Sequence, residues 1–76
     1  MDIIKQILKE IKPELNFDES ENFIEDGYLD SFDVITLTDM LQEKFKITID
    51  GLDIIPDNFF NYEVISSLVK KNGGQI

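Results

Sequence analysis

The stretch "EDGYLDSFDVI", residues 25–35, places one serine, Ser31, among four carboxylates. The four acids are Glu25, Asp26, Asp30 and Asp33. A serine in this setting can be the polar residue that begins a helix, or a nucleophile that becomes covalently modified. Grouped carboxylates can bind a metal ion or act as a catalytic acid–base pair. Each of these possibilities requires particular residues elsewhere in the chain, so the rest of the sequence decides between them.

Calcium binding is poorly supported by the acidic loops. An EF-hand loop needs oxygen ligands at positions 1, 3 and 5, glycine at position 6 and glutamate at position 12. A loop that begins at Asp18 has Phe23 in place of the glycine and Leu29 in place of the glutamate. Loops that begin at Asp26 or Asp50 also lack the required residues. We therefore expect no specific metal site, and at most loose binding of divalent ions.

Catalysis by a carboxylate pair is also poorly supported. Such a pair needs a cleft that removes water from one acid and raises its pKa. A chain of 76 residues has little volume for a cleft of that kind. The chain has no histidine, which is the commonest general base, and no cysteine, which excludes disulfides and thiolate metal sites. We therefore expect that the protein is not an enzyme.

The negative charge is concentrated in one part of the chain. The net charge is −9, and residues 13–43 contain ten Asp or Glu and no Lys or Arg. The lysines lie outside that range, at Lys5, Lys9, Lys12, Lys44, Lys46, Lys70 and Lys71. The sign of this charge is wrong for nucleic acid, so we expect no nucleic-acid partner. An acidic surface instead favours association with basic proteins.

Three segments have the apolar spacing of amphipathic helices. The predicted helices are residues 2–12, 31–45 and 62–71. Pro13 predicts the end of the first helix, because proline disfavours helical geometry in the residue before it. Asn61 is a suitable N-cap for the third helix, and Gly73 and Gly74 predict its end.

Two long segments join these helices. Residues 14–29 are rich in polar residues but also carry large apolar side chains, so we expect either function or short hidden structure there. Residues 46–56 form the second loop. The letters "DNFF", residues 57–60, predict one helical turn with Asp57 as its cap. The letters "GGQI", residues 73–76, predict a frayed end.

The helix pattern predicts an all-α fold, a small bundle of three to four helices with a long first loop. The core candidates are Ile4, Ile7, Leu8, Ile11, Phe23, Val34, Leu37, Leu41, Phe45, Ile49, Phe59, Val64, Ile65 and Leu68. The length predicts one domain, residues 1–76, and we expect a monomer. The apolar runs are too short to span a membrane, and no secretory signal is visible, so we expect a cytoplasmic protein.

The helix at residues 31–45 has two distinct faces. Asp30 is a good N-cap, and Asp33 three positions later can complete a capping box, so Ser31 is not needed as a cap. The core face carries Val34, Leu37, Thr38, Leu41 and Phe45. The opposite face carries Phe32, Thr36, Asp39 and Glu43, with Ile35 on its flank. This spacing predicts an exposed aromatic residue beside Ser31 on an acidic surface.

Residues 21–45, "ENFIEDGYLDSFDVITLTDMLQEKF", resemble the acyl carrier proteins and the related peptidyl and D-alanyl carriers. The signature of that family is Asp-Ser followed by a large apolar residue, usually Leu or Met, with a Gly a few positions earlier. Asp30-Ser31-Phe32 and Gly27 match this signature. The order of helices and loops is similar over nearly the whole chain, which implies a helical bundle of the acyl-carrier type.

The resemblance implies that Ser31 receives 4′-phosphopantetheine from coenzyme A through a phosphopantetheinyl transferase that uses Mg²⁺. The thiol of that arm would carry an acyl or aminoacyl group as a thioester. Asp30 would help to present Ser31 to the transferase. The implied partner-binding residues are Phe32, Ile35, Asp39 and Glu43. Further partners would be an acyl- or aminoacyl-activating ligase and a downstream acyltransferase or synthase.

Two residues depart from the pattern of the fatty-acid carriers. Phe32 replaces the commoner Leu, and Asp39 lies where those carriers usually have an apolar residue. The stretches "EDGYLDSF" and "DNFF" are more similar to D-alanyl carriers and to stand-alone carriers of specialised pathways. The cargo and the pathway therefore stay open. The alternative from another class is a small acidic helical adaptor that binds a basic protein through the Phe32 face without covalent modification.

Overall fold

The computed structural model describes residues 2–75, and these residues form helices and turns with no strand. The three α-helices are α1 (Asp2–Ile11), α2 (Ser31–Phe45) and α3 (Tyr62–Lys71). Three short 3₁₀ turns lie between them, at Phe17–Glu19, Gly51–Asp53 and Pro56–Asn58. The predicted all-α fold is therefore confirmed, and every predicted helix is present within one residue of its predicted bounds.

The helix ends follow from local chemistry. Helix α1 ends at Ile11, two residues before Pro13. Helix α2 ends at Phe45, and the next residue, Lys46, is its C-cap in the left-handed conformation with φ of 58°. Asn61 caps α3 as predicted, because its side-chain oxygen accepts the N–H of Val64 at 2.8 Å. These caps satisfy backbone groups that a helix leaves unpaired at its termini.

The chain after α3 is held more firmly than the sequence predicts. Gly73 has φ of 93°, a conformation that glycine adopts easily and other residues rarely adopt. Gly74 donates its N–H to the carbonyl of Val69 at 2.8 Å, and a Cβ at Gly74 would clash with the Val69 side chain. The predicted frayed end is therefore wrong for Gly73 and Gly74, while Ile76 lies outside the described residues.

One apolar cluster fills the space between the helices. Its members are Ile4, Ile7, Leu8, Phe17, Phe23, Leu29, Val34, Leu37, Leu41, Ile49, Phe59, Ile65, Leu68 and Val69. Three predicted core residues, Ile11, Phe45 and Val64, are only half-buried. Ile11 and Phe45 are the last residues of their helices, and Val64 lies on the flank of the inward face of α3.

The first loop contains the short structure that its apolar residues predict. Phe17 and Phe23 meet edge to face with ring centroids 4.9 Å apart, and Tyr28 packs on Phe17 at 5.4 Å. The backbone of Phe23 donates its N–H to the carbonyl of Phe60 at 2.7 Å, which ties the loop to the segment before α3. The loop is therefore part of the packed structure and delivers the chain to α2 at a defined place.

The second loop differs from its prediction in one detail. The turn in the "DNFF" region begins at Pro56, and Ile55 occupies the cap position without a side-chain hydrogen bond. Asp57 lies inside the turn, so its predicted role as a cap is wrong. The physical reason is that the fixed φ of proline suits the first position of a helical turn, which moves the cap two residues earlier, from Asp57 to Ile55.

Candidate functional site

Asp30 and Asp33 form a reciprocal capping box at the start of α2, as predicted. Oδ1 of Asp30 accepts the N–H of Asp33 at 2.8 Å, and Oδ2 of Asp33 accepts the N–H of Asp30 at 3.1 Å. Asp30 is the N-cap and Ser31 is the first helical residue. The capping work at this helix end is thus done by the two acids on either side of the "SF" pair.

The charge of Asp30 is stabilised where it lies. The hydrogen bond from the backbone N–H of Asp33 lowers the pKa of Asp30 below its usual value, and the positive charge of Lys12 lowers the pKa further. Asp30 therefore stays ionised at neutral pH. A fixed anion at a helix N-terminus is favourable, because the helix dipole is positive there.

The hydroxyl of Ser31 is exposed and free. Among the side chains of residues 3–75, none forms a hydrogen bond with the hydroxyl of Ser31, and the bonds at this helix start belong to Asp30, Asp33 and Thr36. Four other hydroxyls donate hydrogen bonds: Ser20 donates to Asp26 at 2.6 Å, Thr38 to the carbonyl of Val34 at 2.8 Å, Thr36 to the carbonyl of Phe32, and Tyr62 to Asp18. Ser66 and Ser67 lie inside α3, away from a helix start. Ser31 is thus the serine at a helix start, with a hydroxyl able to form an ester.

The chain before Ser31 is fixed by Gly27 and Leu29. Gly27 has φ of 78°, which glycine tolerates and which allows the chain to turn toward α2. Leu29 is 1% exposed, and its N–H donates to the carbonyl of Phe23 at 2.9 Å. The buried leucine anchors the loop, so Asp30 and Ser31 follow at a constrained position.

The outer face of α2 is exposed as predicted. Phe32 is 74% exposed and Ile35 is 55% exposed, and Asp39 and Glu43 are exposed farther along the helix. These four residues follow a spacing that keeps them on one side of the helix. A large exposed aromatic side chain beside carboxylates is a feature that protein interfaces use, because the ring supplies contact area and the acids supply orientation.

Asp33 has a partner that the sequence reading missed. The carboxylate of Asp33 is mostly buried, and its Oδ2 lies 3.3 Å from Nζ of Lys12. The available signal was the position of Asp33 four residues before Leu37, which places both on the inward side of α2. The reading also missed the exposed apolar residues Leu52 and Ile55 in the second loop.

The described part of the chain has neither a cluster of metal-ligating side chains nor a helix that could span a membrane. Residues 2–75 bring together no group of three or more carboxylates that could hold a metal ion. Asp30 and Asp33 meet through backbone hydrogen bonds at a helix end. None of the helices within residues 2–75 is long and apolar enough to cross a bilayer.

Comparison with known proteins identifies the family. The family model described as "phosphopantetheine attachment site" matches residues 1–71. No curated protein and no solved structure gives a significant match. The residues present fit such a group, because a free hydroxyl lies at the positive end of a helix, where a phosphate is favoured. The chain therefore belongs to the phosphopantetheine-binding family of acyl-carrier-type proteins, whose members carry covalently attached 4′-phosphopantetheine.

Proposed function

We propose that Ser31 is the attachment residue, and that the protein holds an acyl or aminoacyl group and delivers it to partner enzymes. The observation that carries the proposal is the division of roles at the start of α2. Asp30 and Asp33 satisfy each other's backbone N–H groups, so the exposed hydroxyl of Ser31 has no capping role. The family match supports phosphopantetheine as the group attached.

The attachment step uses one atom of this chain. The Ser31 Oγ attacks the β-phosphorus of coenzyme A and forms a phosphodiester bond. The bond between that phosphorus and the oxygen that bridges the two phosphates of coenzyme A breaks. The nucleotide bisphosphate leaves with the bridging oxygen. The hydroxyl proton would pass to a base of the transferase, where Mg²⁺ would offset the negative charge of the phosphate. Once bound, the arm supplies a thiol that holds the cargo as a thioester.

The proposed role of this protein in the attachment step is to present Ser31 to the transferase and to supply the surface that the transferase recognises. The chain has no histidine to act as a general base at neutral pH, which supports assigning the base to the transferase. Asp30 fixes the helix end and places a carboxylate beside Ser31. We propose that a carrier of this kind catalyses no step by itself.

The outer face of α2 is the proposed partner-binding surface. Phe32 and Ile35 supply apolar contact, and Asp39 and Glu43 supply charge that attracts basic residues of the enzymes. The proposed partners are the phosphopantetheinyl transferase, an acyl- or aminoacyl-activating ligase, and a downstream acyltransferase or synthase. Each would dock near the arm, because this face begins at the residue next to Ser31.

The mass of the intact protein tests the proposal. We expect wild-type protein to gain the mass of one phosphopantetheine group when it is incubated with coenzyme A, Mg²⁺ and a permissive transferase. Ser31→Ala should gain none. Ser67→Ala is the matched control, because it removes an exposed helical serine far along α3, and it should be modified like the wild type. An adaptor that only binds a partner would gain no mass in any variant.

A further inference from the structure

Lys12, the residue after α1, reaches the start of α2. Its Nζ lies 3.3 Å from Oδ2 of Asp33, with side-chain exposures of 29% for Lys12 and 11% for Asp33. The same Oδ2 accepts the backbone N–H of Asp30 at 3.1 Å. A single carboxylate oxygen therefore connects the end of α1 to the residue that precedes Ser31.

The position of Lys12 in the sequence makes its ion pair with Asp33 important for the start of α2. Residues 13–43 contain no Lys or Arg, so Lys12 is the last cation before a long acidic stretch. A mostly buried carboxylate needs polar partners, because burial removes its hydration. Without Lys12, Oδ2 of Asp33 would lose its ion pair and would be held by the N–H of Asp30. The carboxylate would then turn toward water more often, and each such turn breaks the hydrogen bond to that N–H.

We propose that Lys12 is a positioning residue for Ser31, holding Asp33 against Asp30 and so fixing the backbone on both sides of the serine. This inference rests on the proposed function, in which Ser31 is the modified residue. A fixed helix start presents the hydroxyl in one orientation, and a reaction between two bound partners is faster when that orientation is set beforehand. Lys12 also places a positive charge beside the two carboxylates that would flank a phosphodiester on Ser31.

The first test uses unmodified protein and no transferase. Amide hydrogen exchange is measured by NMR in wild type, Lys12→Met, Lys12→Arg and Lys5→Met. Lys5 pairs with Asp18 at 3.6 Å, so Lys5→Met removes an ion pair from the same helix without touching the capping box. We expect exchange of the Asp30 amide to rise about fivefold in Lys12→Met and to stay near wild type in Lys12→Arg and Lys5→Met.

The second test is the steady-state rate of modification. Lys12→Met should lower kcat about fivefold with little change in KM, and Lys12→Arg should restore most of kcat. A general loss of stability would instead lower the rate in Lys5→Met as well. A wild-type kcat in Lys12→Met overturns this inference and leaves the modification of Ser31 standing. An unmodified wild-type protein would remove both proposals, so the two failures are distinguishable.

Discussion

Asp30 and Asp33 exchange two hydrogen bonds, one from each backbone N–H to the other's carboxylate, at 2.8 Å and 3.1 Å. The two residues enclose Ser31 and Phe32 in the sequence. A serine at a helix start can both cap the helix and act as a nucleophile. This reciprocal pairing assigns the capping to the two acids. The two acids cap the N-terminus of α2, and the hydroxyl of Ser31 has no part in that capping.

Asp30→Ala and Asp30→Asn separate the capping role of Asp30 from its charge. Alanine removes the acceptor for the Asp33 N–H, so we expect Tm to fall by about 5 °C. Asparagine keeps an acceptor oxygen and should retain most of the wild-type Tm. If the charge of Asp30 helps the transferase, Asp30→Asn will still lower kcat/KM. Equal kcat/KM in Asp30→Asn and wild type would restrict Asp30 to a structural role.

Tyr62 and Asp18 make a contact whose strength should depend on pH. The Tyr62 hydroxyl donates to Asp18 at 2.7 Å, and this bond, helped by the charge of Lys5, lowers the pKa of Asp18. A lowered pKa in the folded state stabilises the fold above the unfolded pKa of about 4, and that stabilisation is lost as pH falls through the folded pKa. Tyr62→Phe should therefore destabilise the protein more at pH 7 than at pH 3.

Urea unfolding between pH 3 and pH 7 measures this difference. Tyr28→Phe is the matched control, because Tyr28 is a half-buried ring in the same aromatic cluster. The difference in the free energy of unfolding between wild type and Tyr62→Phe should decrease as pH falls. The corresponding difference for Tyr28→Phe should stay constant. A constant gap in both variants would show that the Tyr62–Asp18 bond does not couple to the ionisation of Asp18.

Charge reversal on the outer face of α2 should weaken partner recognition. Replacing Asp39 and Glu43 together by lysine should lower kcat/KM for modification about tenfold, mainly by raising KM. The reason is that the new lysines would repel the basic residues expected on the transferase. Both residues are exposed, so Tm should change little. The control reverses Glu14 and Glu21, which are also exposed but lie outside α2. Equal effects in both double variants would indicate net charge alone, with no localised face.

Phe32 and Phe59 should respond oppositely to truncation. Phe32 is 74% exposed, so Phe32→Ala should change the free energy of unfolding by less than about 0.5 kcal/mol while weakening binding to partner enzymes. Phe59 is fully buried, so Phe59→Ala should cost about 3–5 kcal/mol. Chemical denaturation and transferase binding measure the two effects. A large loss of stability in Phe32→Ala would show that the ring belongs to the fold.

Features set by residues close in sequence were the ones that the sequence predicted well. The three helices, the Asp30–Asp33 capping box and the Asn61 cap all depend on spacings of three or four residues. The exposed face of α2 followed from the same periodicity. The choice of Ser31 as the attachment residue rests on the resemblance of Asp30-Ser31-Phe32 to the carrier signature and stays a proposal; the structure adds that Ser31 is the exposed first residue of α2.

Features set by packing between distant segments were missed. Lys12 and Asp33 lie 21 positions apart, and their contact exists because α1 packs against the start of α2. The Tyr62–Asp18 bond joins residues 44 positions apart for a similar reason. The cap of the turn at Pro56 is displaced by two residues, from Asp57 to Ile55, because the backbone restriction of proline outweighed the capping preference of Asp57.

The most direct test of the central claim is to locate the attached group within the modified protein. Wild-type protein is modified with coenzyme A, Mg²⁺ and a transferase, digested, and fragmented by tandem mass spectrometry. The chain has four serines, Ser20, Ser31, Ser66 and Ser67, so the fragments distinguish every candidate of that type. We predict that phosphopantetheine is found on Ser31 alone. Attachment at another residue, or modification of Ser31→Ala, would contradict the assignment.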